Sequence, residues 1–318
     1  YLERTNGRII VNSFFKSQLP LPGNQEWINK DPEQSLVNKC NNILLNSLAN
    51  HETVNVFNME EAILRFDGGG VHDARLWYVG KFIYSDQFTA FIVERCISIL
   101  LAHLGKNIRV LVVDLDNTVW GGILGEEGYE NILVGGDYPG NAFKVFQQTL
   151  VALKNVGVAL AVASKNDNDN VSLAIGKISD MVLSLDDFVS VKINWKPKWQ
   201  NILEISEELN IGLEHIGFVD DNPVERDAIA KHLPEVKVFD LPSDPSLFSH
   251  TLLASPFISS LAITKEDAAR SESYTARSQI NKSRGSFKDI ESFYLSLKIK
   301  LYIEGLNSSN LSRVSQLI

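Results

Sequence analysis

Apolar residues between 107 and 240 come in short runs separated by amphipathic stretches. Ile108-Arg109-Val110-Leu111-Val112-Val113 has the length of a buried strand and is bounded by Lys106-Asn107. Comparable runs predict further strands at 158–163, 181–185, 215–219 and 236–239. Between them, apolar positions recur at helical spacing over 141–155, 168–178, 198–209 and 224–232. Gly157 stands where a C-terminal glycine cap belongs. Strand alternating with helix argues for an α/β fold, a parallel sheet with helices on both faces.

The flanks are less regular. Before residue 107, 8–13 and 54–57 read as strands, 33–49 and 85–104 as helices, and 19–23 and 66–70 as loops. After residue 255, 264–278 reads as a helix with Thr264 as N-cap and Asp267 three residues on. A strand at 296–303 and a helix starting near Asn310 follow. The expected division is 1–106, 107–255 and 256–318. The chain starts at Tyr1 and stops inside an apolar-periodic stretch, so a piece of a longer, multidomain polypeptide is expected.

Composition narrows the classes. Of 318 residues, 44% are hydrophobic, enough for a sizeable core. No apolar run approaches the ~20 residues of a membrane span, so no membrane partner is expected. A net charge of -9 argues against nucleic acid. Two cysteines make no disulfide framework, which points to a reducing cytoplasm. Cys96 lies on an apolar helix face, and Cys40 has no cationic helper beyond Lys39, so neither is expected to be a reactive thiol. No His or Cys spacing suggests zinc.

The candidate chemistry sits at predicted strand ends. In Asp114-Leu115-Asp116-Asn117-Thr118, two carboxylates follow the first strand, where open α/β sheets keep their sites. One carboxylate can attack phosphorus while its neighbour moves a proton. Ser164, with Lys165 and Asn166, follows the second strand, where a hydroxyl and loop amides can hold a phosphoryl oxygen. Lys198 opens a helix and could steady transition-state charge. Asp220-Asp221-Asn222-Pro223 follows another strand and suits a hard cation such as Mg²⁺. Each has a plainer reading: Ser164 as a helix cap, Lys198 as a solvated charge, and 220–223 as a turn. All four in this order favour a site.

On these segments the chain resembles the haloacid dehalogenase superfamily of phosphotransferases over roughly 108–240. The resemblance implies Asp114 as nucleophile, Asp116 as general acid/base, and Ser164 and Lys198 as phosphoryl-binding catalytic groups. It implies Mg²⁺ held by Asp114, the Asp116 main-chain carbonyl and Asp220, with Asp221 nearby. Asn117, Thr118, Trp120, Gly121, Gly122, Lys165, Asn166, Asn222 and Arg226 are the expected substrate-binding residues. Asp114-Leu-Asp-Asn-Thr-Val-Trp-Gly-Gly122, Ser164-Lys-Asn-Asp167 and Val219-Asp-Asp-Asn-Pro-Val-Glu-Arg226 further resemble the FkbH-like branch. So do Asp73-Ala-Arg-Leu-Trp-Tyr78 upstream and Glu266, Asp267, Arg270 and Tyr274 downstream.

That narrower likeness implies transfer of a glyceryl unit from 1,3-bisphosphoglycerate to the phosphopantetheine thiol of an acyl carrier protein, with dephosphorylation, for polyketide biosynthesis. The host would be a polyketide synthase. Two alternatives stand beside it, a simple phosphatase and a non-catalytic carrier-docking module. The segment between the first motif and the helix at 141 is too short for a full cap, so a minimal cap is expected. Gly121-Gly122 suits close approach to phosphate, a flap or a plain turn. Residues 1–106 resemble the remnant of an SGNH hydrolase without its Gly-Asp-Ser block, so they are expected to brace the site. Arg270, Arg277, Lys282, Arg284 and Lys288 face one acid, Glu272, over 270–288, which suits either an acidic carrier protein or a solvated surface.

Overall fold

A computed structural model describes residues 7–16, 32–48, 51, 53–66, 68–258, 273–278 and 305. The expected loop at 19–23, Thr264, the strand at 296–303, the helix from Asn310, and Glu266, Asp267, Arg270, Lys282, Arg284 and Lys288 lie outside the described residues.

The centre is a parallel five-stranded sheet of β3 (Val110–Val113), β4 (Ala159–Ser164), β5 (Phe188–Ile193), β6 (Ile216–Asp220) and β7 (Lys237–Asp240). Its order is β5-β4-β3-β6-β7. All four β3 residues are buried because both faces of the sheet are covered. The period-two alternation of a strand divides them. Leu111 and Val113 join a core with Phe143, Phe146 and Leu150 of α6 (Gly140–Asn155) and Val171 of α7 (Asn168–Lys177). Val110 and Val112 join a second core with Ile202, Ile205 and Leu209 of α8 (Lys198–Leu209) and Ile229 of α9 (Pro223–His232).

One expected strand is misplaced. Residues 181–184 form no strand, and the sheet is completed by Phe188–Ile193 instead. The N–H groups of Val182 and Leu183 donate instead to the side-chain Oε1 of the buried Gln147, at 2.8 and 3.1 Å. Leu183 is buried in the core, with Met181 and Leu185 packed against it, which is why the run looks like a strand.

Upstream, β1 (Ile9–Asn12) and β2 (Val54–Phe57) pair in parallel, with α1 (Pro32–Leu48) between them in sequence. The helix α4 (Asp86–His103) packs Phe88 against Phe57, Met59 and Ala62. Two unexpected short helices are α2 (Met59–Arg65) and α3 (Ala74–Gly80), capped by Asn58 and Asp73. Cys96 packs at the edge of this small core, and burial pushes its thiol up. Arg95 of α4 donates to the Ala254 carbonyl at the end of α10 (Phe248–Ala254), linking this segment to the main sheet. Among the described residues no helix is long and apolar enough to cross a membrane.

Candidate active site

β3 is flanked by β4 on one side and β6 on the other, so a crevice opens at their carboxyl ends where the strand order reverses. Asp114 follows β3 and keeps the ladder going by donating its N–H to Val219. Ser164 ends β4 and Asp220 ends β6, both buried. Lys198 is the first residue of α8. Only 4% exposed, it sets its ammonium 2.6 Å from Asp220 Oδ2 and 3.0 Å from Asp114 Oδ1.

The electrostatics of this cluster follow from burial. Desolvation alone would strip the Lys198 charge, but Asp114 and Asp220 outweigh it and raise its pKa. Burial pushes Asp220 up to about 7, the Asp114 charge adds to this, and Lys198 opposes it. Asp221 is raised by the same two causes, burial first. One ammonium therefore faces three carboxylates. Among the described residues Asp114 Oδ1 is buried without a hydrogen-bond partner, with the Lys198 ammonium 3.0 Å away. Asp114, Asp220 and Asp221 each offer an oxygen, all within 4.8 Å of one another. A compact set of hard oxygens with excess negative charge and one unsatisfied lone pair fits a divalent cation of the magnesium type.

Asp116 is held apart from that cluster. Its Oδ1 accepts the Trp120 indole N–H at 2.9 Å and the Leu124 N–H at 3.2 Å. Its Oδ2 accepts the Asn166 side-chain N–H at 3.0 Å. Burial raises the Asp116 carboxyl and Asp114 adds to this, against the hydrogen bonds from Leu124 and Trp120 and the Lys198 charge. A raised carboxyl suits a group that must carry a proton near neutrality.

The structure brings every expected site residue to this end of the sheet, but several serve the protein itself. Trp120 and Asn166, expected at the substrate, are buried against Asp116. Asn117, at φ 53°, accepts the Gly122 N–H, and Gly122 has φ 101°. Gly121 exchanges two backbone hydrogen bonds with Leu133, and a Cβ there would meet the Phe143 ring at 2.7 Å. The pair is thus a pinned turn, not a free flap. Thr118 accepts the Asp221 N–H at 3.0 Å, tying the first motif to the fourth. Asn222 caps α9 and donates its N–H to Asp220 Oδ1. Arg226 grips the Asp220 and Asp221 carbonyls and the Asp240 carboxylate, so it fastens the loop to β7. Lys165 pairs with Glu225 at 2.6 Å across the mouth.

Sequence reasoning missed one support. Asn201, fully buried, forms a reciprocal amide pair with Asn194, whose N–H donates to the Ser164 carbonyl. Together they set the loop that leads into Lys198. The available signal was a polar residue on the apolar stripe of α8.

Comparison with known proteins gives a strong likeness. The N-terminal part of the protein BF1531 from Bacteroides fragilis, containing a phosphatase domain complexed with Mg, is 32% identical with a TM-score of 0.75. The match covers 82% of this chain and 70% of that one. The 3-deoxy-D-manno-octulosonate 8-phosphate phosphatase from Moraxella catarrhalis, in complex with magnesium, phosphate and its KDO molecule, is 17% identical with a TM-score of 0.27, over 48% of this chain and 78% of that one. No family model matches the chain, and no curated protein matches it. The chain belongs to the same family as the Bacteroides fragilis phosphatase domain, and its fold is of the haloacid dehalogenase-like type.

Proposed function

We propose that this chain is a magnesium-dependent phosphohydrolase working through an aspartyl-phosphate on Asp114. The observation that carries the reading is the convergence of Asp114, Asp220 and Asp221 around one buried lysine. The magnesium bound by the Bacteroides fragilis relative supports the same cation here, with Asp114, Asp220 and Asp221 supplying ligand oxygens. Bound there, it would supply Lewis-acid stabilisation of the charge on the transferring phosphoryl group. Asp114 attacks phosphorus, and the ester P–O bond breaks with its electron pair going to the leaving oxygen. Asp116 gives that oxygen a proton. Asp116 then takes a proton from water as the water attacks the phosphoenzyme, which releases inorganic phosphate and restores the Asp114 carboxylate. Lys198 offsets the charge that builds on the phosphoryl group.

The substrate we infer is 1,3-bisphosphoglycerate, with an acyl carrier protein as acceptor. The acyl phosphate at C1 is already activated. The pantetheine thiolate attacks that carbonyl, a C–S bond forms, and phosphate leaves. The phosphate ester at C3 is not activated and needs Asp114. Two features support this reading. The FkbH-like residues flank all the motifs. The stretch between β3 and α6 holds only a single-turn helix, α5 (Leu124–Glu127), so the crevice has no large lid on that side to bar a tethered arm. The half-buried Cys40 and Cys96 lie outside the cluster, which favours direct attack by the carrier thiol.

The test is to incubate the protein with 1,3-bisphosphoglycerate, Mg²⁺ and a holo carrier protein, and to weigh the carrier. A glyceryl adduct with release of the ester phosphate is expected. Asp114→Asn should abolish release of that phosphate. Phosphate release with an unchanged carrier mass would leave a simple phosphatase. Wild-type release by Asp114→Asn would refute the site.

A further inference from the structure

The geometry assigns Trp120 and Asn166 as positioning residues that leave one lone pair, on Asp116 Oδ2, free to give and take the proton. The inference rests on the phosphohydrolase reading above and adds which atom does the work. Oδ1 accepts from the Trp120 indole and the Leu124 amide, at 2.9 and 3.2 Å. Both partners are donors only, so neither can accept a hydrogen, and a carboxyl oxygen has two lone pairs. Oδ1 is therefore saturated, and a proton placed there would displace one of these bonds.

Among the described residues, Oδ2 accepts from Asn166 Nδ2 alone, at 3.0 Å. The orientation of that amide is fixed as well, because Asn166 Oδ1 accepts the Asp167 N–H at 2.9 Å. A flipped amide would lose that bond and set two oxygens against each other. Oδ2 thus keeps one open lone pair. The clamp also fixes the plane of the carboxylate: one oxygen is tied to the motif-one loop, and the other to the loop after β4. Trp120 and Asn166 are 0% and 4% exposed, so neither is placed to recognise substrate directly. They act through Asp116.

A positioning role makes a prediction that a packing role does not. The first chemical step needs a proton only when the leaving oxygen is a poor leaving group. Trp120→Phe keeps the ring volume and removes the N–H. Asn166→Ala removes the second donor and keeps the assay valid should the Trp120 variant fail to fold. kcat/KM is measured for glycerol 3-phosphate, an alkyl ester, and for p-nitrophenyl phosphate, whose leaving group departs without a proton. General acid–base catalysis contributes about 10²–10⁴-fold. Loosening the acid should therefore cost the alkyl ester at least about tenfold more than the aryl ester, with KM little changed. Equal losses on both substrates in either folded variant would overturn the assignment and leave only a packing role. Asp114→Asn runs alongside, because turnover that survives it would instead refute the phosphoenzyme reading.

Discussion

Lys198 lies between two carboxylates that would otherwise repel each other across the end of the sheet. An ammonium so deeply buried is tolerated because its desolvation is offset by two close counter-charges. The balance is still negative, and this is the physical case for a cation. Magnesium should therefore raise the thermal midpoint of the wild-type protein. A ligand that binds only the folded state adds about 2.7 kcal/mol at about a hundredfold excess over its dissociation constant. Asp220→Asn removes one anionic ligand, so the magnesium-dependent shift should largely disappear in differential scanning calorimetry. An unchanged shift would mean that the cation binds elsewhere. At this scale the sequence was informative about residue type and silent about direction. Asp114, Ser164, Lys198 and Asp220 were legible because each stands at the end of a regular element. Trp120, Asn166 and Arg226 were read as substrate contacts because polar groups beside a motif look alike until their hydrogen-bond partners are known.

The helical turn at 273–278 lies against α8, the helix that presents Lys198. Ser278 donates to the Glu208 carboxylate, and Arg277 donates to the Leu209 carbonyl at 3.1 Å. Arg277, expected on a basic docking surface, is thus partly used to fasten this turn. Burial would raise the Glu208 carboxyl, but hydrogen bonds from Ser278, Ser190 and Lys192, with the Lys192 charge, bring it below its usual value of 4.5. A carboxyl whose folded pKa is depressed adds stability that is complete above its unfolded value and is lost as pH falls through the folded one. Amide protection at 273–278, taken relative to the intrinsic exchange rate at each pH, should accordingly fall on acidification below about 4.5 in the wild type. In Glu208→Gln it should be low already at neutral pH. Equal protection in the variant and the wild type would remove Glu208 as the anchor. Elements were most legible where periodicity ran long, as in α6 and α8. The helices α2, α3 and α10 span seven residues each, too few for a helical period to stand out. The run at 181–185 misled because burial, which makes a segment apolar, does not choose between a ladder and a side-chain acceptor such as Gln147.

Across the whole molecule, the α/β architecture could be read from the sequence because a doubly covered parallel sheet leaves continuous apolar runs between amphipathic helices. The switch point followed from strand order, which no single segment encodes. The chemistry depends on that order: β3, β4 and β6 are neighbours only in the folded sheet. The central claim is that their ends build one phosphoryl-transfer centre with Asp114 as the nucleophile. It is tested most directly by rapid acid quench of the protein turning over a phosphoester with Mg²⁺, followed by borohydride reduction and peptide mass mapping. The account predicts homoserine in place of Asp114, accumulating further in Asp116→Asn, whose phosphoenzyme lacks the base that activates water. Steady turnover with no modification of Asp114 at any quench time, or modification of another carboxylate, would contradict it.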